Sequence, residues 1–163
     1  MEHFCGIDVG LSGGVVILDS SGNMVSKVVT PIIKGPKSLY NIPEMINLLT
    51  PYAKNSIIGI EKQQAFSKQG VVSMFNLGRG YGLWEGIVAT LGASYVLVHP
   101  KTWQKEILKD MDKSDTKQAG AIVCHRVFPT EDFKASDRCR VDHIGLTDAT
   151  CIALYIYHTN KGK

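Results

Sequence analysis

The chain has 163 residues, of which 44% are hydrophobic and 20% are charged, and its formal net charge is +3. This length and composition are typical of a globular protein with a sizeable core, so we expect residues 1–163 to form one domain. The sequence contains no apolar run of membrane-spanning length and no signal-peptide pattern, and its four cysteines show no paired spacing; we therefore expect a cytoplasmic protein with reduced thiols and no membrane partner.

Two apolar runs joined by a glycine-rich turn, residues 4–10 and 15–18, predict an antiparallel pair of strands. Asp8 interrupts the first run. An ionised carboxylate inside a strand is costly unless something compensates it, most often a metal ion or a buried base. Alternation places Asp8 on the same face as Phe4 and Gly6, and Cys5 on the other face.

The same pattern recurs in residues 56–61, where an apolar strand ends in Glu61 and Gly59 lies two residues earlier. If the two strands are neighbours, we expect Gly6 and Gly59 to clear space beside two carboxylates for a metal pair and its phosphate. For each acid alone, a place at a strand end in water is an equal alternative. The matched pair favours a shared site.

The remaining pattern predicts, in chain order, a third strand at 24–30, a helix at 38–53, a loop at 62–70, a helix at 71–91, a strand at 95–98, helices at 101–108 and 114–128, a loop at 129–141 and a final helix at 143–158. Gly78, Gly82 and Gly86 are spaced one turn apart in the long helix, which indicates that another backbone approaches it closely. This order of elements describes the RNase H-like fold: an α/β protein whose mixed five-stranded sheet has three antiparallel strands followed by parallel strands, flanked by helices.

That fold places acids from its first strand, its fourth strand and its last helix at one spot. Asp148 is the acid of the last helix and lies beside its apolar stripe. The alternative is an exposed acid that the helix dipole favours in the first turns. We expect Asp148 to join Asp8 and Glu61.

A series of lysines follows the fifth predicted strand, and its members recur every four residues: Lys101, Lys105, Lys109, Lys113 and Lys117. Four-residue spacing forms one ridge on a helix, although residues 113–115 look like a break followed by a new N-cap. A solvated helix face and contact with phosphates explain these lysines about equally well.

With these motifs in place, the chain resembles the RuvC family of Holliday junction resolvases, including phage members and, in its middle part, the plant organellar resolvases. The resemblance covers nearly the whole chain and rests on motifs in a fixed order: Gly6-Ile7-Asp8-Val9-Gly10 with Ser12-Gly13-Gly14, Ile60-Glu61 followed by Phe66, residues 80–86 leading to residues 98–104, residues 113–117, and Asp142-His143 before residues 145–149. It implies a homodimeric, metal-dependent endonuclease that nicks two strands of a four-way DNA junction symmetrically. The compact length favours a bacterial or phage-infected host cytoplasm, whereas an organellar location would require a transit peptide, and the sequence shows no such pattern.

The resemblance also implies roles for single residues. Asp8, Glu61 and Asp148 would bind two Mg²⁺ ions, with Mn²⁺ as a substitute, and hydrolysis would leave 5′-phosphate and 3′-hydroxyl ends. Family members place a fourth ligand three or four residues before the last acid, where this chain has Gly145 and Ile144. The pair Asp142 and His143 is the nearest substitute, and the plant-like motif favours His143 as catalytic residue and metal ligand.

Branched DNA is the partner that the resemblance implies. Phe66 would stack on unpaired bases at the crossover, since base stacking on an aromatic side chain contributes about 1 to 3 kcal/mol per base. The alternative for Phe66 is a loop anchor in the core. The expected phosphate contacts are basic residues: Lys62, Lys68, Arg79, Lys101, Lys105 and Lys117.

Two other classes of function remain as alternatives. The glycine-rich turn after Asp8 also looks like the first phosphate loop of the sugar kinase, actin and heat-shock ATPase superfamily, although those proteins need a duplicated domain. A catalytically silent DNA-binding relative is the second alternative, and the intact set of three acids argues against it.

Overall fold

The structure is a computed structural model that describes residues 1–64, 70–112 and 114–161. Its main sheet has five strands in the order β3-β2-β1-β6-β7. The strands, including those of a separate two-stranded β4-β5 sheet, are β1 (His3–Asp8), β2 (Gly14–Asp19), β3 (Met24–Val29), β4 (Ile32–Ile33), β5 (Leu39–Tyr40), β6 (Ser56–Glu61) and β7 (Ser94–Val98). The pairs β1-β2 and β2-β3 are antiparallel, whereas β1-β6 and β6-β7 are parallel. The predicted mixed sheet is confirmed.

Five α-helices and one short 3₁₀ helix complete the described part of the chain. They are α1 (Ile42–Leu49), the 3₁₀ helix (Ala53–Asn55), α2 (Val71–Thr90), α3 (Pro100–Ile107), α4 (Thr116–Val127) and α5 (Ile144–Asn160). Within the described ranges, no helix combines the length and the apolar character needed to cross a membrane.

Two predicted boundaries are wrong. The first helix begins only after Asn41, whose side chain accepts a hydrogen bond from the backbone N–H of Glu44, and it ends before Pro51, which has no N–H to continue it. The segment before it forms the β4-β5 hairpin, and β5 (Leu39–Tyr40) occupies residues that were predicted to begin the helix. Strands of two residues are too short to show a hydrophobic period, which explains why the sequence does not reveal them.

The lysine series does not form one ridge. Helix α3 ends at Ile107, and α4 begins after Asp115, whose carboxylate accepts hydrogen bonds of 3.0 Å from the backbone N–H groups of Lys117 and Gln118. The predicted break between residues 113 and 115 is therefore where the second helix is capped, although Lys113 itself lies outside the described residues.

Both faces of the sheet are buried. One face carries Phe4 and packs with α5, and the other carries Cys5 and Ile7 and packs with α1 and α2. The predicted alternation along β1 is confirmed. Since Asp8 shares a face with Phe4, its side chain is directed toward the layer that contains α5.

Close packing brings α5 onto the sheet. A Cβ atom at Gly6 would lie 2.1 Å from the carbonyl oxygen of Ala149, and one at Gly59 would lie 2.6 Å from the side chain of Ile156. The space at these glycines is therefore filled by α5, and our prediction that it holds a metal pair and a phosphate is wrong. The glycines act indirectly, because they allow the helix that carries Asp148 to approach β1.

The predicted close approach of a backbone to the glycines of α2 is not found within the described part of the chain. Gly78, Gly82 and Gly86 have nothing within 4 Å of the positions where their Cβ atoms would be. This glycine row is open to the outside of the molecule.

Candidate active site

Asp8 and Glu61 lie at the ends of neighbouring strands. β1 and β6 are parallel with Ile7 beside Ile60, so each acid is the next residue in the same register. Parallel strands end at the same edge of a sheet, and residues in the same register share a face. The two carboxyl groups are consequently neighbours at one edge, on the side covered by α5.

Asp148 reaches this edge from α5. The contact between Gly6 and Ala149 fixes that turn of the helix against β1. On its other side, the Oδ1 atom of Asp148 lies 3.7 Å from the position that a Cβ atom would take at Gly120 in α4. Asp148 therefore occupies a narrow space between the sheet edge and α4.

The electrostatics of the acids show how closely they are grouped. Burial, followed by the charges of Glu61 and Asp148, raises the pKa of Asp8 well above its usual range. Burial and the charge of Glu61 raise the pKa of Asp148 to about 7, while the positive charge of Lys117 opposes the rise. Carboxylates that repel one another in a partly buried site favour either a bound proton or a bound cation.

Glu61 is held by two hydrogen bonds. The indole Nε1–H of Trp103 donates to Oε1 over 3.0 Å, and the amide Nε2 of Gln63 donates to Oε2 over 3.0 Å. Trp103 is 1% exposed. The sequence analysis did not predict this contact; the signal that could have indicated it is that a buried indole N–H needs an acceptor.

Asp142 and His143 are directed away from one another. The Oδ2 atom of Asp142 lies 2.8 Å from Nε2 of His125, an ion pair when the histidine is protonated. His143 caps α5 with its backbone carbonyl, which accepts hydrogen bonds from the N–H groups of Leu146 and Thr147. Because Asp142 is already paired with His125, His143 is the better candidate of the two for a fourth ligand.

The His143 ring lines a cavity of about 340 Å³ together with Thr30 and Cys139. Burial lowers the pKa of His143, and its Nδ1 atom has no hydrogen-bond partner among the described residues. No hydrogen bond joins His143 to Asp8, Glu61 or Asp148 within that part of the chain. Its role as fourth ligand stays a prediction.

The donor set suits a hard divalent cation. Within the described ranges, no group of three or more His, Cys, Asp or Glu side chains forms a ready-made metal cluster. Asp8, Glu61 and Asp148 nevertheless feel one another's charge, and oxygen atoms of carboxylates are the ligands that Mg²⁺ and Mn²⁺ prefer. The chemistry of these residues fits such an ion, with Glu61 already oriented by its two donors.

Two of the predicted basic residues lie near the acids. Lys117 in the first turn of α4 is close enough to Asp148 to affect its pKa, and Lys62 follows Glu61 directly. The predicted phosphate contacts in the described ranges all have exposed side chains: Lys62, Arg79, Lys101, Lys105 and Lys117. Phe66 and Lys68 lie outside the described residues.

Two solved structures share the architecture over nearly the whole chain. T. thermophilus RuvC in complex with Holliday junction substrate has a TM-score of 0.70 and 13% sequence identity, and the match covers 97% of this chain and 95% of that one. A Thermus thermophilus RuvC structure has a TM-score of 0.61 and 14% identity, with 98% and 96% covered.

No model of a protein family and no curated protein sequence matches the chain. The likeness is therefore one of structure, and it agrees with the order and directions of the five strands described above. The chain has the RNase H-like fold in the arrangement found in RuvC.

Proposed function

We propose that the protein is a metal-dependent endonuclease that resolves four-way DNA junctions. The observation that carries the proposal is the meeting of Asp8, Glu61 and Asp148 at one edge of the sheet, in a fold shared with a RuvC structure bound to a Holliday junction. The exposed Lys62 and Lys117 beside the acids support an anionic substrate, because contacts with phosphates position a duplex.

The three acids would hold Mg²⁺, two ions per site, with Mn²⁺ as a substitute. A divalent cation bound there would supply charge neutralisation at the phosphate and a more acidic water. Burial and mutual repulsion raise the pKa values of Asp8 and Asp148, so a free acid is more readily protonated and cation binding competes with protons. We expect a requirement for neutral or higher pH.

The chain's own residues would then do three things. Glu61, fixed by Trp103 and Gln63, presents its oxygens in a set direction. Lys117 adds positive charge beside Asp148, where a phosphate oxygen would approach. His143 completes the proposed catalytic set as fourth ligand or as the group that orients the attacking water; the products would carry 5′-phosphate and 3′-hydroxyl ends.

Two strands of a junction must be cut, and one site per chain achieves this in a two-fold homodimer. We propose α2 as the interface. Its glycines at 82 and 86 line an apolar cavity of about 250 Å³ with Ile46 and Leu83, and Phe75 in its second turn is 69% exposed. A second copy would bury this surface and fill the open glycine row.

A nucleotide-binding phosphotransferase or ATPase of the sugar kinase and actin type is less favoured. The turn after Asp8 packs against α5: a Cβ atom at Gly14 would lie 2.6 Å from the carbonyl oxygen of Gly145. These glycines are used for packing, which accounts for the motif without a bound nucleotide. A catalytically silent DNA-binding relative would not require three partly buried acids that repel one another at the sheet edge.

One experiment separates these functions. Purified protein is incubated with Mg²⁺ and a labelled synthetic four-way junction, with a linear duplex of the same sequence, and with ATP. We expect paired nicks in the junction alone, lost in Asp8→Asn and retained in Asp142→Asn, whose carboxylate pairs with His125. ATP hydrolysis without nicking would favour the kinase and actin class, and junction binding without nicking would favour the silent relative.

A further inference from the structure

We infer that Trp103 is a positioning residue for Glu61, and that its indole N–H, rather than its bulk, sets how strongly the site binds a divalent cation. The inference deepens the proposed function and rests on it, because it concerns the same acid. It assigns a function to a tryptophan for which the sequence analysis gave no role of its own.

The contact is built into the fold. Trp103 lies in the first turns of α3, which starts at Pro100 directly after β7. The indole is 1% exposed within the core layer that contains α5, and only its Nε1–H reaches out of that layer, to the Oε1 atom of Glu61 at 3.0 Å. A rigid, buried ring therefore holds a carboxylate that lies at the sheet edge.

The second oxygen is held as well. Gln63 donates to Oε2 at 3.0 Å, so each oxygen of Glu61 accepts one N–H and keeps one lone pair for another partner. Hydrogen bonds to a charged acceptor are stronger than neutral ones. Ordering a free glutamate side chain has an entropy cost, and the two hydrogen bonds meet this cost before a cation binds.

The two donors differ in how firmly they are themselves held. Gln63 lies in the segment that follows β6 and is only partly buried, whereas Trp103 is fixed by packing on every side of its ring. A hydrogen-bond donor that is fixed by packing restricts the position of its acceptor. Trp103 is therefore the residue that we expect to control the direction of Glu61.

The chain supplies a matched control in its other tryptophan. Trp84 in α2 is 0% exposed, and its Nε1 has no hydrogen-bond partner among the described residues. It packs on the opposite face of the sheet, with the core that contains Ile58 and Ile60. Replacing either tryptophan by phenylalanine removes similar bulk, but only the change at residue 103 removes a donor to a candidate ligand.

The first test compares Trp103→Phe with Trp84→Phe. Nicking of a four-way junction is measured over a range of Mg²⁺ concentrations, and Mn²⁺ binding without DNA is measured by calorimetry. We expect Trp103→Phe to need about 10- to 100-fold more Mg²⁺ for half-maximal nicking and to bind Mn²⁺ correspondingly more weakly, as found for residues that orient metal ligands. Trp84→Phe should resemble the wild type in both.

The second test uses the intact tryptophans. The two indole N–H signals are observed by ¹H–¹⁵N NMR in metal-free protein, with and without the change Glu61→Ala. We expect the Trp103 signal to move upfield when its acceptor is removed and the Trp84 signal to stay. This test requires neither a variant at residue 103 nor any activity.

Equal Mg²⁺ requirements for the two tryptophan variants would overturn the inference. An indole N–H signal of Trp103 that does not shift in Glu61→Ala would overturn it as well. A wild-type protein that fails to nick junctions would instead overturn the proposed function. In that case Mn²⁺ binding and the NMR signals would still decide the role of Trp103, so the two failures are distinguishable.

Discussion

Helices α5 and α2 lie on opposite faces of the same sheet, and glycine has a different effect at each. At α5 the glycines belong largely to the strands, and Gly6 and Gly14 bring the sheet within backbone contact of the helix. At α2 the glycines belong to the helix, and Gly78, Gly82 and Gly86 touch nothing within the described residues. The sequence predicted open space beside Gly6 and the close approach of another backbone to the glycines of α2, and within the described residues the structure shows the opposite at both places.

This difference suggests separate roles for the two faces of the sheet. On the α5 face, glycines without side chains allow α5 to bring Asp148 close to Asp8. The acids are then partly buried and repel one another, which raises the pKa values of Asp8 and Asp148. The α2 face keeps an apolar, unfilled surface that we assign to a second copy. Changes on the α5 face should therefore affect chemistry and folding, and changes on the α2 face should affect association.

The largest effect is expected for Asp148→Asn. Removing the acid that α5 delivers should lower junction nicking on the order of 10³-fold, which corresponds to about 4 kcal/mol of transition-state stabilisation. Single-turnover nicking at saturating protein measures this, with junction binding as the control for folding. Nicking at the wild-type rate would show that α5 has no part in catalysis.

Gly6→Ala tests the packing of α5 against β1. Its Cβ atom would lie 2.1 Å from the carbonyl oxygen of Ala149, so the helix or the strand must shift. Overpacking of this kind typically costs about 1–3 kcal/mol and occasionally more. Urea denaturation should show a loss of about 3 kcal/mol, together with loss of nicking; an unchanged midpoint would mean that α5 is not held by this contact.

The acids should make metal-free stability depend on pH. Because the folded-state pKa of Asp148 is raised from 3.8 to about 7, its contribution to stability is full below pH 4 and is lost as pH rises to about 7. The unfolding free energy should fall by about 2–4 kcal/mol across this window. Asp148→Asn should flatten part of the fall, and added Mg²⁺ should reverse it above pH 7; a flat profile in the wild type would contradict the grouping of the acids.

The smallest effect is expected on the α2 face. Gly82→Ala places a methyl group in open space and should stabilise the isolated chain by about 0.5–1 kcal/mol, because alanine is the better helix former. If α2 is the interface, the same change should weaken self-association measured by analytical ultracentrifugation. Gly92, outside the helix and equally open but with a positive φ of 69°, is a poor control, whereas the exposed Glu106→Ala in α3 is a suitable one, because it lies outside α2.

Apolar runs and their alternation predicted the main sheet well. β1 and β6 are marked by the same pattern of strand, glycine and acid, and the acids at their ends are neighbours as expected. Asp148 was singled out because an acid beside an apolar stripe is unusual, and its role as a metal ligand stays a prediction. These signals are local in sequence, which is why they can be read without a structure.

Features that depend on distant contacts were harder to predict. The purpose of Gly6 and Gly59 was misjudged, since only the packed structure shows that α5 occupies the space beside them. The hydrogen bond from Trp103 to Glu61 joins residues 42 positions apart, and the sequence indicates only that a buried indole N–H needs an acceptor, not which residue supplies it. The sequence alone could not decide between Asp142 and His143 as the fourth ligand. The structure favours His143, because Asp142 is paired with His125.

The most direct test of the account is a crystal structure of the protein soaked with Mn²⁺, with the ions located by anomalous scattering. We predict the strongest anomalous peaks at the sheet edge, bonded to carboxylate oxygens of Asp8, Glu61 and Asp148. Peaks confined to other acids, with no ion between β1, β6 and α5, would contradict the account.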